Sequence, residues 1–334
     1  MGYDPNVLRR ATQRLDEERR ARGERIERLR RQAYEKQPGL ERLDRDLQAT
    51  MSQLVAAALR QGEDPTQAIR EIRAHNLELQ KQRAQMLENL GLSVDALDNK
   101  PACPLCNDSG WQGANMCQCL KKRYAQEQIQ ELSKLLPLGE QSFDTFSLDY
   151  YSQTIWPGRG ASPRENMELV YEVCLNYAQK FGRFSVKNLF LSGAPGLGKT
   201  FLSACVARTV SESGFSVVYD TAGSIFAQFE TRKFQREGQD ALEARDETRR
   251  YLGCDLLIVD DLGSELTTQL TQSALYELVN TRLLTGRHTI ISSNLTMEDV
   301  ARRYVPQIAS RLEGEYHILH FFGDDIRLLK KQRL

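Results

Sequence analysis

One short run in the second half of the chain limits what it can fold into more than any other feature. Gly193-Ala194-Pro195-Gly196-Leu197-Gly198-Lys199-Thr200 fits G-x4-G-K-[ST], and a β-rich run (186–191) precedes it while a helical run (201–210) follows. The glycines let the backbone bend round phosphate groups and aim N–H groups at them, and the following helix N-terminus adds positive potential. On this reading Gly193 to Phe201 form the nucleotide-binding stretch. Lys199 contacts the β- and γ-phosphates of ATP, and Thr200 holds Mg²⁺.

A second apolar run, beginning at Asp255, ends in Asp260-Asp261, so two carboxylates are expected where a strand emerges beside the phosphate loop. Asp260 is placed to help hold Mg²⁺ through water, and Asp261 to orient or deprotonate an attacking water. Ile290-Ile291-Ser292-Ser293-Asn294 ends another strand with an amide that either positions the same water or simply starts a loop. Five β-rich runs (186–191, 215–219, 256–259, 289–292, 316–321) alternate with helical stretches. Parallel neighbours need crossover connections, so the pattern predicts an α/β domain with a five-stranded parallel sheet.

The chain has 7 cysteines, four of them within residues 103–119: Cys103 and Cys106 as C-x2-C, then Cys117 and Cys119 as C-x-C. Two close pairs joined through the Asp108-Ser109-Gly110 turn suit a tetrahedral Zn²⁺ site with no open position, hence a structural one. Cys174, Cys205 and Cys254 lie in apolar contexts and are expected in the core. The first ten residues lack the apolar segment of a secretory signal, and no apolar run approaches the roughly 20 residues a spanning helix needs. A cytoplasmic protein with reduced thiols and no membrane association is expected.

Only Tyr3 and Tyr34 are aromatic within the first hundred positions, against 12 Phe, 12 Tyr and 2 Trp in the whole chain, so that stretch is not an ordinary globular core. It reads as long helices: Asp4-Pro5 starts one, Gln37-Pro38-Gly39 ends it, and Leu40, Leu43, Leu47, Leu54 and Ala58 fit a second. Gly62 is expected to break the second, and Asp64-Pro65 to start a third. In that third helix Ile69, Ile72, Leu79, Met86 and Leu90 share a seam interrupted by Asn76 and Arg83. Either these helices fold on one another, or their apolar stripes dock on another protein. Residues 1–100 carry 19 basic and 17 acidic side chains, and the whole chain 45 of each, which argues against coating nucleic acid. The segment 225–250, with Phe226, Phe229 and Phe234 among Arg, Gln and Glu, is either a DNA-contacting insertion or a solvated helix pair covering the sheet.

The order G-A-P-G-L-G-K-T, L-L-I-V-D-D-L-G, I-I-S-S-N and then Ser310-Arg311-Leu312 resembles AAA+ ATPases, and more narrowly bacterial replicative helicase loaders of the DnaC/DnaI type. The resemblance extends over residues 100–334. It includes the cysteine cluster, Phe143-Asp144-Thr145-Phe146, the stretch 280–286 and the end after Gly323. IstB-type transposition ATPases share the core motifs, and the zinc-bearing N-terminal region favours the loader. The resemblance implies a P-loop AAA+ core over 185–334, a linker and the start of the ATPase domain over 123–184, a four-cysteine zinc module over 100–122 and a helical partner-binding region, a hairpin or short bundle, over 1–99. It makes Asn294 sensor 1, Arg311 the finger offered to the next subunit, and Arg327 sensor 2. Arg302 and Arg303 compete with Arg311, and Arg327 either reaches the nucleotide or pairs with Asp324 and Asp325.

The activity so implied is ATP-dependent loading of the hexameric replicative helicase onto single-stranded DNA, with self-association through the ATPase domain. The alternatives are a transposition helper ATPase on duplex DNA, and an adaptor that binds nucleotide with little turnover. Asp261 stands where many relatives carry Glu, one methylene longer, so hydrolysis is expected to be slow. The short stretch after Gly323 leaves no room for a full helical lid, so a neighbouring subunit or partner is expected to complete the pocket.

Overall fold

A computed structural model of the protein describes residues 3–58, 66–136, 138, 141–235 and 238–332. Residues 1–12 with 118–334 form one unit, and 13–117 the other. The expected break at Gly62 and start at Asp64-Pro65 lie outside the described residues.

In the first helix, α1 (Pro5–Lys36), Asp4 accepts hydrogen bonds from the backbone N–H groups of Asn6 and Val7, as an N-cap carboxylate does. Helices α2 (Pro38–Ala58) and α3 (Thr66–Asn89) run antiparallel, because Asn76 reaches Thr50 at 2.6 Å while Arg83 reaches Asp44 at 2.6 Å. The two residues that interrupt the α3 seam therefore both bond across to α2. Arg83 also bonds Asp98 at 3.0 Å and the Val94 carbonyl at 2.8 Å. The apolar centre differs from the expected seam: Leu87, with Ala33, Leu40 and Leu97, is fully enclosed, while Met86 and Leu90 sit half-buried at its margin. A small antiparallel hairpin, β1 (Trp111–Gln112) and β2 (Asn115–Met116), closes this unit.

The larger unit continues with α4 (Gln118–Leu132), α5 (Pro163–Gln179), β3 (Leu189–Gly193), α6 (Lys199–Glu212) and β4 (Val217–Thr221). Then come α7 (Ala222–Phe234), α8 (Gln239–Gly253), β5 (Leu256–Leu262), α9 (Gln269–Leu284), β6 (His288–Ser293), α10 (Met297–Arg303), α11 (Pro306–Glu315), β7 (His317–Phe321) and α12 (Ile326–Gln332). The five strands are all parallel, in the order β4-β5-β6-β3-β7. Each expected strand is present, shifted by up to three residues at its ends.

Alternation along the strands builds two layers. Leu189, Leu191, Val217, Tyr219, Leu256, Ile258 and Ile290 face a core shared with α5 and α6. Phe190, Val218, Leu257, Val259 and Ile291 face the opposite one, with α7 and α9. Cys174, Cys205 and Cys254 are buried as expected. Phe226 and Phe229 are buried beneath α7, whereas Phe234 is exposed. Arg282, in the stretch 280–286, has no exposed surface and bonds the carbonyls of Tyr251, Cys254 and His288 and Thr289 Oγ1, tying the end of α8 and the link to β5 to the start of β6.

Candidate nucleotide site and thiol cluster

Strand β3 delivers the glycine-rich loop and α6 begins at Lys199 directly after it, so strand, loop and helix take the order the motif requires. Two glycines are needed for shape. Gly198 has φ +91°, and a Cβ there would lie 2.7 Å from Tyr151 Oη; Gly196 has φ +80°, and a Cβ there would overlap the Asp325 carboxylate. The loop is held from outside as well: the Tyr151 hydroxyl donates to the Leu197 carbonyl at 3.1 Å, and the Ile326 N–H donates to the Gly196 carbonyl at 3.0 Å. Lys199 Nζ donates to the carbonyls of Gly193 at 2.6 Å and Ala194 at 2.8 Å. Burial lowers the pKa of this ammonium, Asp261 and Asp260 act to raise it, and Arg327 acts to lower it. Four charged groups therefore converge on the loop.

Strand β5 carries the acids through a local irregularity. Its register against β6 shifts between Val259 and Leu262, and Asp261 takes φ +58°, an uncommon conformation for a residue with a Cβ. The consequence is a division of labour between neighbours. Asp260 is buried and accepts from Thr200 Oγ1 at 3.2 Å, from Tyr219 Oη at 2.5 Å and from Ser292 Oγ. Asp261 is exposed and lines the cavity above.

That cavity, of about 470 Å³, is lined by the loop from Pro195 to Phe201, by Asp261 and Asn294, and by Arg327. Ile326 and Lys330 of α12 line it too, so α12 supplies one wall of the cavity. Asp325 caps α12 by accepting the Arg327 backbone N–H at 2.8 Å, while the Arg327 side chain faces the cavity. Phe146, Tyr150 and Tyr151 form an aromatic wall: Phe146 stacks on Tyr151 with centroids 6.0 Å apart, and Lys330 Nζ lies 5.2 Å from the centre of the Tyr150 ring. None of the tyrosines at this site, nor Lys330, carries a motif in the sequence. Ser292 was inside a recognised strand, yet its bond to Asp260 had no signal.

Arg311 does not line the cavity. It sits on α11 with its guanidinium 5.6 Å from the centre of the Tyr276 ring. Of its competitors, Arg302 forms an exposed surface pair with Asp299, and Arg303 bonds Thr267 Oγ1 and the Glu265 carbonyl.

The thiols of Cys103, Cys106, Cys117 and Cys119 lie within 4.8 Å of one another, and all seven cysteines are thiols. Asn107, Asp108 and Gly110 have positive φ and turn the chain between the pairs. Asp108 accepts the N–H groups of Cys103 at 2.8 Å and Ala102 at 3.1 Å and pairs with Arg22. Against the cost of burial, these donors hold its carboxyl below the ordinary carboxylate range. Four zinc-bound sulfurs at about 2.3 Å would lie about 3.8 Å apart; the Cys103 and Cys117 sulfurs are 3.7 Å apart.

Residues 181–333 match the family model described as IstB-like ATP binding protein. An insertion sequence ATP-binding protein of Sinorhizobium fredii is 28% identical over 133 residues, 40% of this chain and 42% of the relative. The replicative helicase loader DnaC of Escherichia coli is 22% identical over 136 residues, 41% of this chain and 54% of the relative. The chain thus spans about half the length of each. The crystal structure of the DnaC helicase loader superposes with a TM-score of 0.42 at 17% identity, covering 54% of this chain and 98% of that one. Among the described residues, no helix is long and apolar enough to cross a membrane.

Proposed function

We propose, from the premise that residues 181–333 form an IstB-like ATP-binding domain of the AAA+ class, that this protein is an ATP-dependent loader of the replicative DNA helicase onto single-stranded DNA. The observation that carries the nucleotide half of this reading is the convergence of Lys199, Asp261, Asn294 and Arg327 on one cavity over a loop whose Thr200 is bonded to Asp260. Lys199 leaves its loop carbonyls for the β- and γ-phosphates. Asp261 orients or deprotonates the attacking water, Asn294 positions it, and Arg327 neutralises charge on the transferring phosphoryl group. The short Asp261 side chain makes hydrolysis slow. Thr200 and Asp260 offer the oxygen donors a hard cation requires, and Mg²⁺ held by them would supply charge neutralisation for the phosphates.

Arg311, on a face away from this cavity, suits a group donated to the site of a second copy, which favours self-association. The helices of 1–99 and the module of 100–122 take the helicase-binding role. The near-equal charge of residues 1–100 suits a protein partner, and single-stranded DNA contact falls to the ATPase domain. The four thiols have the spacing for structural Zn²⁺, which would close the turn rather than catalyse. Such a protein works in the cytoplasm.

The insertion-sequence relative supports a second reading, a transposition helper ATPase acting on duplex DNA. Capture of partners from the native cell with and without ATP tests the choice. The replicative helicase is expected in the eluate; a transposase in its place would overturn the loader. Loss of ATP binding by Lys199→Ala without loss of helicase delivery would overturn ATP control.

A further inference from the structure

The carboxylate of Asp260 has about four lone-pair positions, and three are occupied by hydroxyl donors from three different elements. Ser292 of β6 takes Oδ1; Tyr219 of β4 and Thr200 of α6 share Oδ2. Of the two donors on Oδ2, the phenol lies nearer, at 2.5 Å against 3.2 Å. Register explains the reach. In the parallel pair β4 and β5, Tyr219 stands beside Ile258 and Thr221 beside Asp260, so the phenol must cross the diagonal to a residue two further along. With strands about 4.8 Å apart and residues two apart about 6.6 Å along the strand, that diagonal is about 8 Å, a span a tyrosine side chain bridges. The ring itself is enclosed in the core shared with α6 and is 8% exposed.

We propose that Tyr219 is a positioning residue for the cation end of the nucleotide site, its phenol fixing the Asp260 carboxylate so that Oδ2 accepts the Thr200 hydroxyl proton and leaves that hydroxyl's lone pairs turned to the metal. The inference rests on the nucleotide-site reading above. It assigns the orientation of Asp260 to a strand end that carries no recognised motif. Without the phenol, Oδ2 keeps only the longer bond to Thr200. The buried carboxylate then has one tether fewer against turning toward Lys199, on whose ammonium its charge already acts. Groups that support a ligating side chain from behind are typically worth about 10–100-fold in metal affinity, and a water-mediated ligand belongs at the lower end.

The test uses the full chain, a fluorescent ATP analogue and Mg²⁺. Tyr219→Phe removes the hydroxyl and keeps the packed ring, and Tyr251→Phe is the control. Tyr251 also donates a tyrosine hydroxyl to a carboxylate, that of Asp220 at 2.7 Å, but away from the phosphate loop. In EDTA the three proteins are expected to bind the analogue alike. In a Mg²⁺ titration, the concentration giving half-maximal tightening rises about tenfold for Tyr219→Phe and stays at the wild-type value for Tyr251→Phe. A hydroxyl that merely stabilised the fold would lower the melting temperature of both variants and move neither midpoint. That result, with wild-type binding tightened by Mg²⁺, would overturn the role of Tyr219 and leave the site intact. A wild-type protein that binds no analogue under either condition would overturn the nucleotide site itself, and this inference with it.

Discussion

The thiol cluster and the nucleotide cavity are both built where the backbone enters the left-handed region, at Asn107, Asp108 and Gly110 in one and at Gly196, Gly198 and Asp261 in the other. They differ in reach. The four thiols come from residues 103–119, joined by a tight turn and a two-strand hairpin, whereas the cavity wall runs from Gln141 to Lys330. A local site needs little beyond its own turn. A distributed site needs the whole sheet to stand before any of its groups meet.

The largest effect should separate the two. Stripping metal with a chelator, or the double change Cys103→Ser/Cys117→Ser, removes a binding free energy of about 10 kcal/mol or more from the local site. Hydrogen exchange should show the amides of Cys103, Ser109 and Cys117 losing protection while nucleotide binding persists. Unchanged protection, or no zinc by elemental analysis of fresh protein, would remove the distinction. Next in size is Arg282→Met, remote from the cavity yet pinned to three carbonyls and Thr289. Leaving those acceptors buried without a donor costs about 3 kcal/mol or more, so denaturant melts should show the larger unit destabilised and nucleotide binding lost with it.

Lys199→Ala should spare the fold and weaken ATP binding about a hundredfold, the cost of one charged hydrogen bond; calorimetric titration reads it. The smallest effect concerns His288, whose pKa burial lowers from its ordinary value. Below about pH 6.5 the unfolded chain binds a proton that the folded imidazole refuses. Stability of the larger unit should therefore fall as pH drops from there toward the folded-state pKa and level off below it. His288→Gln should flatten that slope; an unchanged slope would place the titrating group elsewhere.

Legibility in the sequence followed the same division. The phosphate loop, the acidic strand end and the cysteine spacing are runs in which neighbouring residues do the work together, so each could be read directly. The strands could be read for a related reason, since a short β-rich run is a local property. Leu87 escapes the sequence pattern because the heptad seam runs through Met86, and only the packing of α3 against Ala33, Leu40 and Leu97 shows which of the two adjacent residues is enclosed. Asn76 and Arg83 looked like defects until Thr50, Asp44 and Asp98 supplied their partners. Tyr151, Tyr219 and Lys330 gave no signal, because each acts through a residue distant in sequence.

By itself the sequence determined the chemistry available: a loop for phosphates, two acids at a strand end, four thiols with zinc spacing and an α/β alternation that demands parallel strands. Only the tertiary structure decided which acid is buried and which faces the cavity, that α12 supplies a wall of that cavity, and that Arg311 stands apart from it. The physical reason is that bonding groups are carried by residues, whereas distances between them are set by strand order and register. A bulge at Asp261 and a diagonal reach from Tyr219 come into being only when β4, β5 and β6 lie side by side.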